Sequence, residues 1–192
     1  MRDEIQQNIA GNHGLRNGLV AGAIGGLIAS WTMNRFQTVL SRRSQCPSKP
    51  AKRQSDDSGT GQPVQAAADV DKPATLMLAS AISEGVFHHH LTENEKRIAE
   101  PAVHYGFGTT MGGLYGALAE VKPRVTTGAG LVFGTALWLT ADEAAVPVLG
   151  LAYGPTKYPL SAHINALLSH LVYGFSTELV RRTMRCVWKT WH

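Results

Sequence analysis

The chain is poor in cysteine and in charge, and both shortages narrow what it can be. Cys46 and Cys186 are its two cysteines among 192 residues, too few for a disulfide framework. No HExxH, CxxC, phosphate-loop or cofactor-binding motif occurs, so the sequence gives no positive case for an enzyme or a resident cofactor. Charged residues make up 17% of the chain, and the net charge of +4 comes from clusters beside apolar stretches. This distribution favours membrane contact over a nucleic-acid partner.

Charge is absent over long stretches, most clearly within residues 160–182. This run contains no Lys, Arg or Asp before Arg181 and a single glutamate, Glu178. About 20 apolar residues are the length that an α-helix needs to cross a hydrocarbon core of about 30 Å. The arginines that follow are typical of the cytoplasmic end of a membrane helix. We therefore predict an integral membrane protein.

Residues 17–34, 101–119 and 125–141 also lack Asp, Glu, Lys and Arg, and their glycines recur every four residues. Small residues at this spacing let helix backbones approach closely in lipid. The predicted helix-packing positions are Gly18, Gly22, Gly26, Gly108, Gly112, Gly116, Gly130 and Gly134. The predicted fold is all-α: a helical integral membrane protein with about four transmembrane helices and a long polar loop after the first. In an alternative model the first run is a non-spanning hairpin and three spans remain.

The predicted organisation follows the changes in composition along the chain. It comprises an N-terminal polar segment (1–14), a first transmembrane helix (15–40), a disordered linker (41–73), interfacial amphipathic helices (74–100), a three-helix membrane region (101–186) and a C-terminal tail (187–192). Thr92 and Glu95 have the spacing of a capping box. Asp142 and Glu143 interrupt the third span. We interpret the apolar residues that follow, 144–156, as a helix end and then an interfacial or re-entrant loop.

Ionisable residues inside predicted spans are the candidates for a site, because such groups usually face the bundle interior. Two histidines with a carboxylate suit a metal, and two histidines suit a haem. The candidate ligands are His104, His163 and His170, and the candidate buried polar residues are His170 and Asp142. A neutral His170 bonded to a hydroxyl of Thr109 or Thr110 explains that residue equally well. For Glu178 we prefer a location in the headgroup layer.

Two sequence segments carry a resemblance to a known family. They are AEVKP at 119–123 and HLVYGFSTELVRR at 170–182. The chain resembles the YagU-like family of uncharacterised bacterial inner-membrane proteins over residues 101–186. The resemblance implies a four-span membrane protein without an assigned reaction, and it implies no catalytic residue.

Two classes of function follow from these patterns. The first is a small multi-pass protein of the bacterial inner membrane with a structural, stress-related or transport-accessory role. The second is a metal- or haem-binding membrane protein. The expected partners are the lipid bilayer and, in a homo-oligomer, a second copy of the chain. The basic short segments predict a cytoplasmic C-terminus.

Overall fold

A computed structural model describes residues 2–44, 74–150 and 158–190, and within this part the chain is all-helical, without a β-strand. Its elements are α1 (Arg2–Ser44), α2 (Ala74–Phe87), α3 (Glu93–Val121), a 3₁₀ turn (Pro123–Thr126), α4 (Leu131–Leu137), a π-helix (Trp138–Ala145), α5 (Val146–Val148) and α6 (Leu160–Thr190). Most of the predicted linker, residues 45–73, lies outside the described residues.

Helix boundaries differ from the prediction at three places, one of which is the predicted start of the C-terminal tail at residue 187, because α6 runs on to Thr190. Helix α1 begins at Arg2 and ends at Ser44, so the segment 1–14 is the start of this helix and not a separate unit. No proline precedes Pro47, so nothing in the sequence forces a break there. Helix α3 likewise runs through the predicted boundary at residue 100, with Pro101 inside it. The capping box is present, since Thr92 accepts from the Glu95 amide and the Glu95 carboxylate accepts from the Thr92 amide.

The helices of the described segments do not satisfy the requirement for crossing a membrane, since none of them is both long enough and apolar enough. The prediction of about four transmembrane helices is therefore not supported by the individual helices. The all-α class is.

Helices α1 and α3 pack antiparallel along a row of glycines from each helix. A Cβ atom added at Gly22 would overlap the carbonyl oxygen of Gly112, and one added at Gly112 would overlap that of Gly22. A Cβ atom added at Gly18 would likewise overlap the carbonyl oxygen of Gly116, and one added at Gly26 would overlap that of Gly108. The two backbones therefore lie in direct contact, which is possible only because the facing positions have no side chains.

A second row on α1 faces α6. Ala21 and Ala29 are fully buried, and a Cβ atom at Gly25 between them would lie 2.8 Å from the carbonyl oxygen of Thr177. Helix α4 packs antiparallel on α6 through Gly134, opposite the backbone of His170, and through Gly130, opposite Gly174. Gly130 has a left-handed φ of 84°, which a residue with a side chain rarely adopts. Backbone contacts thus join α6 to both α1 and α4.

Three aromatic side chains fill the space that remains between α3, α4 and α6. Tyr115 stacks on Phe133 with ring centroids 4.3 Å apart, and Phe133 lies 6.0 Å from Tyr173. The Tyr173 hydroxyl donates a 2.5 Å hydrogen bond to the carbonyl of Gly108. A residue larger than glycine at position 108 would push the Tyr173 ring away, so this hydrogen bond also depends on a residue without a side chain in α3.

We expect Gly112→Ala to lower the free energy of unfolding by about 1–3 kcal/mol, because the new methyl group overlaps the backbone of α1. Gly106→Ala is the matched control on the same helix, since nothing lies within 4 Å of an added Cβ atom there. The control should be neutral or stabilising by up to about 1 kcal/mol, from helix propensity alone. Thermal unfolding of the purified protein, followed by circular dichroism, measures both. Equal effects of the two substitutions would contradict the close contact.

Candidate functional site

A cavity of about 850 Å³ lies between α1, α2, α3, the π-helix and α6. Its volume is within the range of sites for drug-sized molecules. The polar residues of its wall come from all five elements: Ser30, Asn34 and Gln37 on α1, Thr75 on α2, Glu100 and His104 on α3, Thr140 and Asp142 on the π-helix, and His170 and Tyr173 on α6. The site is therefore assembled from five separate elements.

The π-helix brings the acidic pair into the bundle. The helix continues through Asp142 and Glu143 to Ala145 with a wider turn and ends at Val148, within the stretch 144–156 where a helix end is predicted. The wider turn keeps the backbone hydrogen-bonded through two charged residues. π-Helical turns occur frequently at functional sites. Here Asp142 extends to His170, and Glu143 extends to His163.

His170 is buried and held by its own helix. Its Nδ1 atom lies 3.0 Å from the carbonyl oxygen of Ala166 and 3.6 Å from the Asp142 carboxylate. Because a carbonyl can only accept, Nδ1 carries the proton, and in the neutral ring Nε2 is an acceptor. The expected partner on α3 is not used, and the Thr110 hydroxyl donates to Gly106 instead.

The two other candidate histidines lie in different surroundings. His163 Nδ1 is 2.6 Å from a carboxylate oxygen of Glu143, and neither residue lines the cavity. His104 does line it, and its Nε2 atom is buried without a hydrogen-bond partner in the part of the chain that the structure describes. A buried nitrogen without a partner requires an explanation, such as a bound molecule.

The predicted metal ligands do not converge. Within residues 2–44, 74–150 and 158–190, no three side chains of His, Cys, Asp or Glu lie close enough together to hold a metal ion. His104 and His170 share the cavity with Asp142, whereas His163 lies outside it. The geometry therefore gives the predicted metal site no support.

A second polar cluster surrounds Glu178, whose side chain is 1% exposed. Arg181 donates to both carboxylate oxygens, at 2.7 and 3.0 Å. Arg182 donates at 2.5 Å, and the Tyr115 hydroxyl donates at 3.0 Å. This carboxylate is enclosed by protein groups from two helices. Such a paired, fully bonded carboxylate can remain charged when buried.

The cluster also joins α3 to α6 through Glu120. Arg185 donates to Glu120 at 2.7 Å, and Arg181 approaches it at 3.5 Å. The spacing of Glu178, Arg181 and Arg182 is a recognisable signal for ion pairs within one helix. No such local signal exists for Tyr115 or Glu120, which are about 60 residues away in the sequence.

A comparison with protein-family models finds one match. The model for DUF1440, described as a protein of unknown function, matches residues 50–179. The chain belongs to this family. The match covers more than half of the chain and is wider than the region 101–186 that carries the sequence resemblance. No curated protein and no solved structure matches the chain.

The DUF1440 match includes Asp142, His104 and His170 but not α1. Four cavity-lining residues of α1, namely Ser30, Met33, Asn34 and Gln37, thus lie outside the matched region. The cavity of this DUF1440 chain therefore combines residues from inside and outside the matched region.

The histidine cluster of the DUF1440 region pairs with nearby carboxylates at the surface. Glu84 bonds His90 at 2.9 Å, and His88, which has a φ of 51°, follows the end of α2. His89 lies 3.1 Å from Glu95. Hydrogen bonds from Thr92, the backbone amide first, lower the pKa of the Glu95 carboxyl to about 2. These groups stabilise the start of α3 and do not form a site.

We expect Glu178→Gln to lower the free energy of unfolding by about 3 kcal/mol, because it removes the nearest counter-charge of the buried Arg181 and leaves only Glu120 at 3.5 Å. Glu93→Gln is the control, since the Glu93 side chain is 88% exposed, and its effect should stay below about 1 kcal/mol. Chemical denaturation of both variants in the same detergent measures the difference. If Glu178→Gln is no more destabilising than the control, the cluster does not hold α3 to α6.

Proposed function

We propose that this DUF1440 chain is a small multi-pass protein of the bacterial inner membrane, of the YagU-like kind, and that its helical bundle encloses a binding cavity. Its role would be structural or transport-accessory. The observation that carries the proposal is an inverted distribution of side chains between the inside and the outside of the bundle.

Inside, the largest side chains with less than 2% exposure are all polar: Glu178, Thr177, Ser30 and Ser169. Outside, large apolar side chains are about half exposed on every long helix. They include Leu27, Ile28 and Trp31 on α1, Leu114 and Leu118 on α3, Val132 on α4, and Phe175 and Leu179 on α6. Water disfavours so much exposed apolar surface, whereas lipid accommodates it. Polar groups of membrane helices face the bundle interior, as they do here.

Helix length is compatible with this proposal. Helices α3 and α6 have 29 and 31 residues. At 1.5 Å per residue they extend about 43 and 46 Å, more than the hydrocarbon thickness of about 30 Å. Mean hydropathy averages over all sides of a helix, and each of these helices turns glycine and polar side chains inward. The outward side alone is apolar.

The arrangement of basic residues supports a cytoplasmic C-terminus. Antiparallel packing brings the start of α1 next to the end of α3, since Gly18 contacts Glu120. The end of α6 reaches the same place, since Arg185 bonds Glu120. The basic residues near this end are Arg16, Lys122, Arg124, Arg181, Arg182 and Arg185. The opposite end carries Arg35, Lys96, Arg97 and further basic residues, but most of them belong to the long segment 41–100, which counts little in the positive-inside rule. The basic residues beside the short connections therefore favour the cytoplasm for this end.

Spin labels test which surface meets lipid. We expect labels at Val132 and Phe175, both exposed and apolar, to be relaxed by oxygen and not by a water-soluble nickel complex in lipid nanodiscs. A label at Glu93, whose side chain is 88% exposed, is the control and should show the opposite preference. Nickel access at Val132 equal to that at Glu93 would overturn the membrane proposal.

Topology reporters test the orientation. A reporter fused after His192 should be cytoplasmic, and one inserted near Thr60 should be periplasmic, because an odd number of spans would separate the two positions. Reporters at both positions on the same side would contradict the proposed topology, because three spans lie between Thr60 and His192 in the four-span model and in the three-span alternative alike.

A further inference from the structure

We propose that the cavity binds a lipophilic ammonium ion that carries at least one N–H group. This inference rests on the proposed function, in that the cavity is taken as a binding site within a membrane bundle. Three properties of its wall lead to it: the sign of its charges, the direction of its hydrogen bonds, and its apolar surface.

The charges on the wall have one sign. Glu100 and Asp142 both line the cavity, and no Lys or Arg is among the described residues around it. The Asp142 side chain is 40% exposed, so its carboxylate is accessible from the cavity. The Nδ1 atom of its neighbour His170 lies 3.6 Å away and donates a hydrogen bond to the carbonyl oxygen of Ala166. A cation is the complementary ligand for two carboxylates in one cavity wall.

Three hydroxyl groups of the wall direct their protons away from the cavity. Ser30 donates to the carbonyl of Gly26, Thr140 donates to that of Ala136, and Tyr173 donates to that of Gly108. Each of these oxygens then has only acceptor capacity left. The wall also contains the Thr75 hydroxyl and the amides of Asn34 and Gln37, of which Asn34 donates to Tyr105. The three acceptor oxygens favour a ligand with hydrogen-bond donors.

His104 adds a further acceptor. One side of its ring interacts with the backbone of Ser30, while Nε2 is buried in the cavity wall and has no partner within the described segments. His170 Nε2 is an acceptor for the reason given above. An ammonium N–H group would satisfy one of these nitrogens while its charge faces Asp142. A quaternary ammonium has no N–H group and could not do so.

The remaining wall is apolar and adaptable. Phe107 and Tyr173 present aromatic faces, which attract cations. Met33 and Met111 are flexible side chains that adjust to different shapes. With about 850 Å³ available, the cavity admits a compact hydrocarbon body beside the charged nitrogen.

Four ligands of nearly the same shape test the proposal on the wild-type protein in lipid nanodiscs. They are 1-adamantylammonium, its N,N,N-trimethyl derivative, 1-adamantanol and 1-adamantanecarboxylate. Equilibrium dialysis with radiolabelled ligands gives the Kd, and empty nanodiscs correct for partitioning into lipid. We expect saturable binding of the primary ammonium and at least about ten-fold weaker binding of the other three. Equal binding of the alcohol or the quaternary ion, or no saturable binding of the ammonium, would overturn the proposal.

Two neighbouring substitutions locate the charge. Asp142→Asn keeps the shape and should raise the Kd of the ammonium by at least about ten-fold. Glu143→Gln is the matched control, because Glu143 faces His163 outside the cavity, and the Kd should change by less than about two-fold. Equal effects of the two would place the cation elsewhere. If Asp142→Asn does not fold, the four-ligand comparison decides alone.

The two proposals fail in different ways. If the spin labels at Val132 and Phe175 are exposed to lipid but the ammonium does not bind, only the ligand inference fails. Water-exposed labels at these positions would remove the membrane proposal itself.

Discussion

The backbone contact between α1 and α3 is the constraint from which the rest of the bundle follows. Gly22 and Gly112 each lie against the other's carbonyl oxygen, so the helix axes are closer than any side chain would allow. At this separation Ser30 meets Gly108, and Tyr173 from α6 reaches the Gly108 carbonyl. Dispersion forces over a long, close contact stabilise such a pair without apolar burial. The contact also fixes the antiparallel register, because each glycine has one partner that fits.

Such close packing leaves little space for large side chains between the helices, and polar residues occupy the interior instead. Their hydrogen bonds are made mostly within one helix. Ser30 donates to Gly26, Ser169 to Asn165 and Thr177 to Tyr173, each four residues back. A hydroxyl bonded in this way is small, satisfied and able to pack against another helix. The interior can therefore be polar without unsatisfied hydroxyl groups, while the large apolar residues face outward.

The sequence predicts the helical class and the facing sides of helices well, because these depend on local spacing. Glycines four residues apart lie on one side of a helix, and His170 and Thr177 share a side with each other by the same periodicity. The helix end is predicted within 144–156 and lies at Val148, whereas the π-helix that carries Asp142 and Glu143 has no signal in the local spacing. The enclosure of Glu178 was missed because Tyr115 and Glu120 come from a helix far away in the sequence. The cavity could not be predicted at all, since it exists only between elements.

Helix α1 shows why the family match does not coincide with the structural unit. The matched residues 50–179 include the glycines of α3, but the glycines that face them are on α1, outside the match. Without α1 the row at Gly108, Gly112 and Gly116 would face lipid or water with no partner of complementary shape. The cavity would also lose the wall formed by Ser30 and Met33. A helix that both completes the tightest contact and closes the cavity belongs to the working unit, whatever the extent of the sequence similarity. The site of this chain is thus a property of the assembled bundle and not of its matched segment alone.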